Sequence, residues 1–206
     1  LYWRPIVPGL NDSVAHLTRA RELSRHAHAT VFTGLFYREQ IAAYYRANGL
    51  PEPYQGTARR KILPEAAEQQ ILAAFHQRQN PDAPWGPLFR KTSCAVAYAH
   101  GEADYNGHYG IRELCDICPA SQVRRCQAAW HAPDPADVRE QAAVLGATGG
   151  IDITERAIIV EGLDEPPRYY LQHGFGYQVH ARGHPHHFRQ HGRADIGWPA
   201  NHTEVP

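Results

Sequence analysis

Four cysteines gathered between Cys94 and Cys126 constrain this chain more than any other feature. Their spacing, C-x20-C-x2-C-x7-C, uses every cysteine in the 206 residues. Cys115 and Cys118, two residues apart, let one tight turn aim both sulfurs at a common centre, while Cys94 and Cys126 close the set from either side. Four soft thiolates suit zinc or an iron–sulfur cluster and disfavour magnesium or calcium. Zinc ribbons pair two C-x2-C knuckles, and this chain has one, so the spacing leans toward iron–sulfur. Two disulfides, a redox-active dithiol or incidental buried thiols are the other readings of the same residues.

Composition narrows the class. The chain carries 21 basic and 21 acidic residues, a formal charge of zero, which argues against nucleic acid as a partner. No run of about 18 apolar residues marks a membrane span, and no signal peptide stands out. Clustered cysteines without a wider disulfide framework suit a reducing compartment, so the expected location is cytoplasmic. There is no methionine, and the sequence opens on the strand-like LYWRPIV. The expectation is therefore a later part of a longer chain.

Taken in order, Tyr2 to Val7 is expected as a short buried strand, closed by Pro8-Gly9 and by Asn11-Asp12-Ser13. A helix follows over Val14 to His26, with Val14, Leu17, Ala20 and Leu23 inward. The β-branched and aromatic run ATVFTGLFY, Ala29 to Tyr37, is a second buried strand. Strand, helix, strand predicts a βαβ unit and a parallel sheet. Ligands in such sheets sit at the carboxyl ends of the strands, here Pro8 to Asp12 and Gly34 to Arg38; Pro8-Gly9 as a plain turn is the simpler reading.

Helices are expected over Glu39 to Asn48, with Tyr44 and Tyr45 packing, and over Pro64 to Gln79, with Ile71, Leu72 and Phe75 inward. Arg59-Arg60-Lys61 is a short basic run suited to a solvated face. Arg90 to His100 alternates around Cys94 and predicts a strand delivering that thiol. His100 to His108 holds Asp104, Tyr105, Asn106 and two histidines, either a hydrogen-bonded loop beside a metal or a set of substrate or ligand groups. Further on, Pro135 to Leu145 predicts a helix ending at Gly146, Ile151 to Glu161 one or two strands, and Asp164 to His173 a helix in which Tyr169 and Tyr170 pack. From His180 to His202, six histidines (His180, His184, His186, His187, His191, His202) among glycines and prolines suggest a solvated tail.

The strand ending RPIVPGLNDS, the helix after it, the strand VFTGLFY and the later cysteine segment together resemble the second half of a radical S-adenosylmethionine enzyme with an auxiliary cluster. The likeness spans about the first 50 residues for the barrel and about 40 more for the cysteines. It implies an α/β fold: the last strands and helices of a partial (β/α)6 TIM-like barrel (residues 1–50), a connector with a helix (51–90), a four-cysteine auxiliary cluster segment (91–130), a small α+β extension (131–179) and the His-rich tail (180–206). By position it assigns Arg4 to the carboxylate of S-adenosylmethionine, and Ile6, Leu35 and Phe36 to the wall around its adenine. It implies a 4Fe–4S cluster on Cys94, Cys115, Cys118 and Cys126, carrying electrons for radical modification of an unknown substrate. The family's C-x3-C-x2-C triad does not occur in this sequence, so the missing N-terminal half of the barrel becomes an implied partner. The alternative is a zinc-stabilised binding module for protein or nucleic acid, with Arg124, Arg125 and Arg59 to Lys61 as contacts. A histidine-based hydrolase finds no nucleophile motif.

Overall fold

The computed structural model describes residues 1–53, 63–75 and 84–182. Within them the chain is mixed α/β, with two three-stranded sheets and no closed barrel. It divides into two compact units: Leu1–Ala99 with Ile117–Pro119, and His100–Asp116 with the chain from Ala120 onward. No helix among the described residues is long and apolar enough to cross a membrane.

The first unit begins with the expected βαβ unit. Strand β1 (Tyr2–Ile6), helix α1 (Val14–Ser24) and strand β2 (Thr30–Gly34) follow one another, and the two strands run parallel with Tyr2 opposite Val31 and Ile6 opposite Gly34. Pro5 brings no N–H to the ladder, and the register shifts between Trp3 and Ile6. Helix α2 (Glu39–Ala47) and helix α3 (Glu65–Phe75) come next. Strand β3 (Leu88–Phe89) then joins the free side of β2, again parallel.

The two-residue period of β2 sorts the core. Phe32 packs with Ile6, Leu17, Ala20, Ile71, Phe75 and Leu88 on one face, and Val31 packs with Ala29, Phe89 and Ala95 on the other. The sheet is therefore covered by α1 and α3 on one side and by helix α4 (Thr92–His100) on the other. Trp85 donates its indole N–H to Phe75 O at 2.9 Å and meets the Phe75 ring edge-on.

Several expectations change here. Only Ile6 of β1 is buried, so this strand is less enclosed than expected. Helix α1 buries Leu17, Ala20 and Ser24 and leaves Val14 and Leu23 exposed: a strict three-residue spacing drifts off a face that repeats every 3.6 residues. The expected strand over Arg90 to His100 is instead α4, whose alanines at 95, 97 and 99 are the strongest helix formers. Tyr45 packs edge-on against Tyr37, while Tyr44 is exposed. Any continuation of α3 past Phe75, the basic run Arg59-Arg60-Lys61 and the histidines beyond Arg182 lie outside the described residues.

The second unit holds the short helix α5 (Arg112–Cys115), α6 (Ala120–Ala129), α7 (Pro135–Val144), β4 (Ile151–Ile153), β5 (Ala157–Val160), α8 (Glu165–Phe175) and β6 (Gln178–Ala181). Asp134 caps α7, accepting from Ala136 N at 2.7 Å and Asp137 N at 3.3 Å, with proline at the first helical position. β4 and β5 form an antiparallel hairpin, and β5, α8 and β6 a second βαβ unit with parallel strands. Ile158, Val160 and Val179 pack beneath Val138 and Ala142 of α7 and Leu171 of α8. β6 was not expected: His180 is 1% exposed inside it rather than in a solvated tail. In α8, Tyr170 is exposed and only Tyr169 is half-buried.

Ile158 is fully enclosed in this core. Ile158→Ala should lower the unfolding free energy by about 2–5 kcal/mol in urea titrations, the cost of a large-to-small change at a packed site; a loss of only a few tenths would contradict the core assignment.

Candidate metal centre

No disulfide joins any of the four cysteines. Each unit contains two of them. In the first, Cys94 of α4 and Cys118 both pack against the Ala29, Val31, Phe89 and Ala95 cluster, together with Tyr98. In the second, Cys115 ends α5 and Cys126 lies in α6.

The second unit builds its pair on the loop between α4 and α5. Asp104 Oδ2 accepts the backbone N–H of Asn106 and of His108, each at 3.0 Å, and lies 3.2 Å from His108 Nδ1. Both side chains are almost fully buried. Gln178 Nε2 donates to Asn106 O at 2.6 Å, and Gln172 Nε2 to Asn106 Oδ1 at 3.1 Å. Gly107, at φ +66°, lies so close to the chain at Tyr177 that a Cβ there would come within 2.6 Å of backbone atoms. Only glycine permits both the conformation and the approach.

Sulfur atoms meet this loop at both ends. Cys126 Sγ accepts the backbone N–H of Asp104 at 3.4 Å and the amide N–H of Gln122 at 3.5 Å. Cys115 Sγ lies 3.8 Å from His108 O, as a thiol donating to it. Burial pushes the Cys115 thiol up. A backbone hydrogen bond from Gly110 opposes this, the nearby Cys126 and Asp104 reinforce it, and the Arg156 guanidinium pulls it down. Arg156 stacks on Trp130, 5.1 Å from the ring centre, and donates to Tyr109 O. Its guanidinium fills the space where a Cβ of Gly110 would lie.

The amide of Gln122 has one possible orientation. Arg125 Nη1 donates to its Oε1 at 2.6 Å, and its Nε2 donates to Glu102 O at 2.7 Å. A guanidinium has only donors and a carbonyl only acceptors, so the NH2 group must be the one turned toward Cys126. Neither Gln122 nor Gly107 announces itself in the sequence: Gly107 matters through its close approach to the backbone at Tyr177, and Gln122 through the way its helix turns it toward Cys126 and Glu102 O.

The residues assigned to S-adenosylmethionine lie in the first unit. Arg4 is exposed on β1, its guanidinium 4.8 Å from the centre of the Tyr2 ring. Phe36 is 36% exposed beneath Arg38, Leu35 packs beside Tyr37 and Ala42, and Ile6 has no exposed surface. The Pro8-to-Asp12 segment is a turn held from within: Asn11 Oδ1 accepts Val7 N at 2.6 Å, Asn11 Nδ2 donates to Pro5 O at 3.0 Å, and Asp12 Oδ1 accepts Gly9 N at 2.8 Å. That is the simpler of the two sequence readings. His100 is exposed at the end of α4.

Set beside protein-family models, curated proteins and solved structures, the chain finds no match.

The raised Cys115 thiol has a kinetic consequence. The thiolate is the species that alkylates, so in folded, metal-free protein the alkylation of Cys115 should rise at a higher pH than that of a cysteine in a short peptide. Peptide mapping after timed iodoacetamide pulses measures it; a coincident profile would refute the burial argument.

Proposed function

We propose that this chain is the C-terminal portion of a radical S-adenosylmethionine enzyme, and that Cys94, Cys115, Cys118 and Cys126 hold an auxiliary 4Fe–4S cluster. The observation that carries the proposal is the buried Cys126 sulfur with two N–H donors on it. Donors converging on a sulfur suit a thiolate, whose negative charge they offset, and hydrogen-bonded thiolates are the usual ligands of such clusters. The absence of disulfides leaves all four sulfurs chemically able to take that role, and the Cys115–Cys118 spacer ties the ligand set together along the chain.

When bound, the cluster supplies one-electron transfer. The chain's own groups hold the ligands and balance their charge. Asp104 N–H and Gln122 act on Cys126, while the Gly110 N–H and Arg156 act on Cys115. On the barrel side, the parallel β1 and β2 would be the fifth and sixth strands of a partial (β/α)6 barrel, completed by its N-terminal half. The exposure of Arg4 and Phe36 supports their assignment to S-adenosylmethionine, and the enclosure of Ile6 does not support its own. The substrate would be modified by a radical generated upstream.

One observation favours the zinc-stabilised binding module as the second reading. A buried carboxylate beside His108 Nδ1 is how proteins orient an imidazole for zinc. In that case the thiolates staple loops, and the chain binds a partner instead of moving electrons.

Metal analysis after anaerobic purification separates the two. About four irons and four sulfides per chain are expected for the cluster, with iron lost on Cys115→Ala and Cys126→Ala. About one tightly held zinc would support the binding module instead, and a protein that retains neither metal would end both readings.

A further inference from the structure

We propose that Gln122 raises the reduction potential of the metal centre by hydrogen bonding to the Cys126 sulfur, and that Arg125 strengthens this effect from the surface. The inference rests on the cluster reading above and deepens it. Gln122 is 1% exposed and belongs to the same α6 as Cys126, one helical turn earlier. Side chains four residues apart share a helix face, so the helix itself delivers the amide to the sulfur.

The amide is fully committed. One N–H goes to Glu102 O, the other to Cys126 Sγ, and Oε1 accepts from Arg125. With its oxygen bound to a guanidinium, the amide is polarised, and its N–H becomes a stronger donor. The relay runs from a solvent-exposed cation to a buried sulfur through a single side chain.

The consequence follows from charge. Reduction adds one electron from an external donor to the centre, makes it one unit more negative, and neither makes nor breaks a bond to the protein. A donor aimed at a ligand sulfur stabilises that added charge more than it stabilises the oxidised state, so it raises the potential. Gln122 is thus a tuning residue and not a ligand. Its removal should change how readily the centre accepts an electron while leaving the ligand set intact.

The test uses the full chain, reconstituted anaerobically with ferrous iron and sulfide, in three forms: parent, Gln122→Leu and Arg125→Leu. Iron and sulfide are measured first, and then the midpoint potential by titration with dithionite, followed by optical absorbance. The expected result is iron content equal to the parent in both variants, with the potential more negative in Gln122→Leu and shifted the same way by a smaller amount in Arg125→Leu. Because Arg125 is exposed, its variant carries the test even if Gln122→Leu fails to fold. Loaded variants with the parent's potential would overturn this inference alone. A parent that takes up no iron would overturn the cluster reading and this inference with it.

Discussion

The second unit depends on one backbone carbonyl being held by buried amides. Asn106 O accepts from Gln178 and, at 3.3 Å, from Gln172, which also bonds the Asn106 side chain. The bonds cross more than sixty residues of sequence, pinning an otherwise irregular loop to α8 and β6. A polar loop laid against a hydrophobic sheet would leave N–H and C=O groups unsatisfied. The glutamines remove that cost, and the loop can then offer Asp104, His108 and an N–H aimed at Cys126.

The same device occurs twice. Arg168 donates to Gln172 Oε1 at 3.3 Å, which turns the Gln172 NH2 toward Asn106. Arg125 donates to Gln122 Oε1, which turns the Gln122 NH2 toward Cys126. In each case an arginine fixes which end of a glutamine faces the functional segment. The first relay is buried and fixes a loop; the second begins at the surface and ends on a sulfur. Arg168 also packs 4.0 Å from the centre of the Tyr169 ring and donates to Val179 O at 2.6 Å, so α8 and β6 are fastened to one another by the side chain that orients the loop.

Local chemistry was legible in the sequence and distant pairing was not. The βαβ start followed from LYWRPIV, the helix after Asp12-Ser13 and VFTGLFY, because each signal lies within a few residues. The α7 boundaries followed from Pro135 and Gly146 for the same reason, since capping is local. By contrast Thr92–His100 carried both an apolar alternation and three alanines, and the alanine preference for helix prevailed. β6 was hidden because its histidine belonged by composition to the tail, although Gln178, Val179, His180 and Ala181 form a strand that only pairing with β5 justifies. The cysteines stood out at once as a set, whereas Gln172 and Gly107 gain meaning only from Asn106 and Tyr177, tens of positions away, and Gln122 only from the way its helix turns it toward Cys126.

The route of the chain has a consequence for its architecture. It leaves the first unit after Ala99, returns for Ile117–Pro119 and leaves again before Ala120. Ile117 fills the core around Ile6 and Phe32, and Cys118 packs on the opposite face of that sheet. No contiguous gene segment therefore encodes either half whole: a clone stopping at Ala99 lacks part of its own interior, and one starting at Ala120 lacks Asp104, His108 and Cys115. The cysteine segment, Cys94 to Cys126, contributes residues to both units and so does not form a separate piece of the fold.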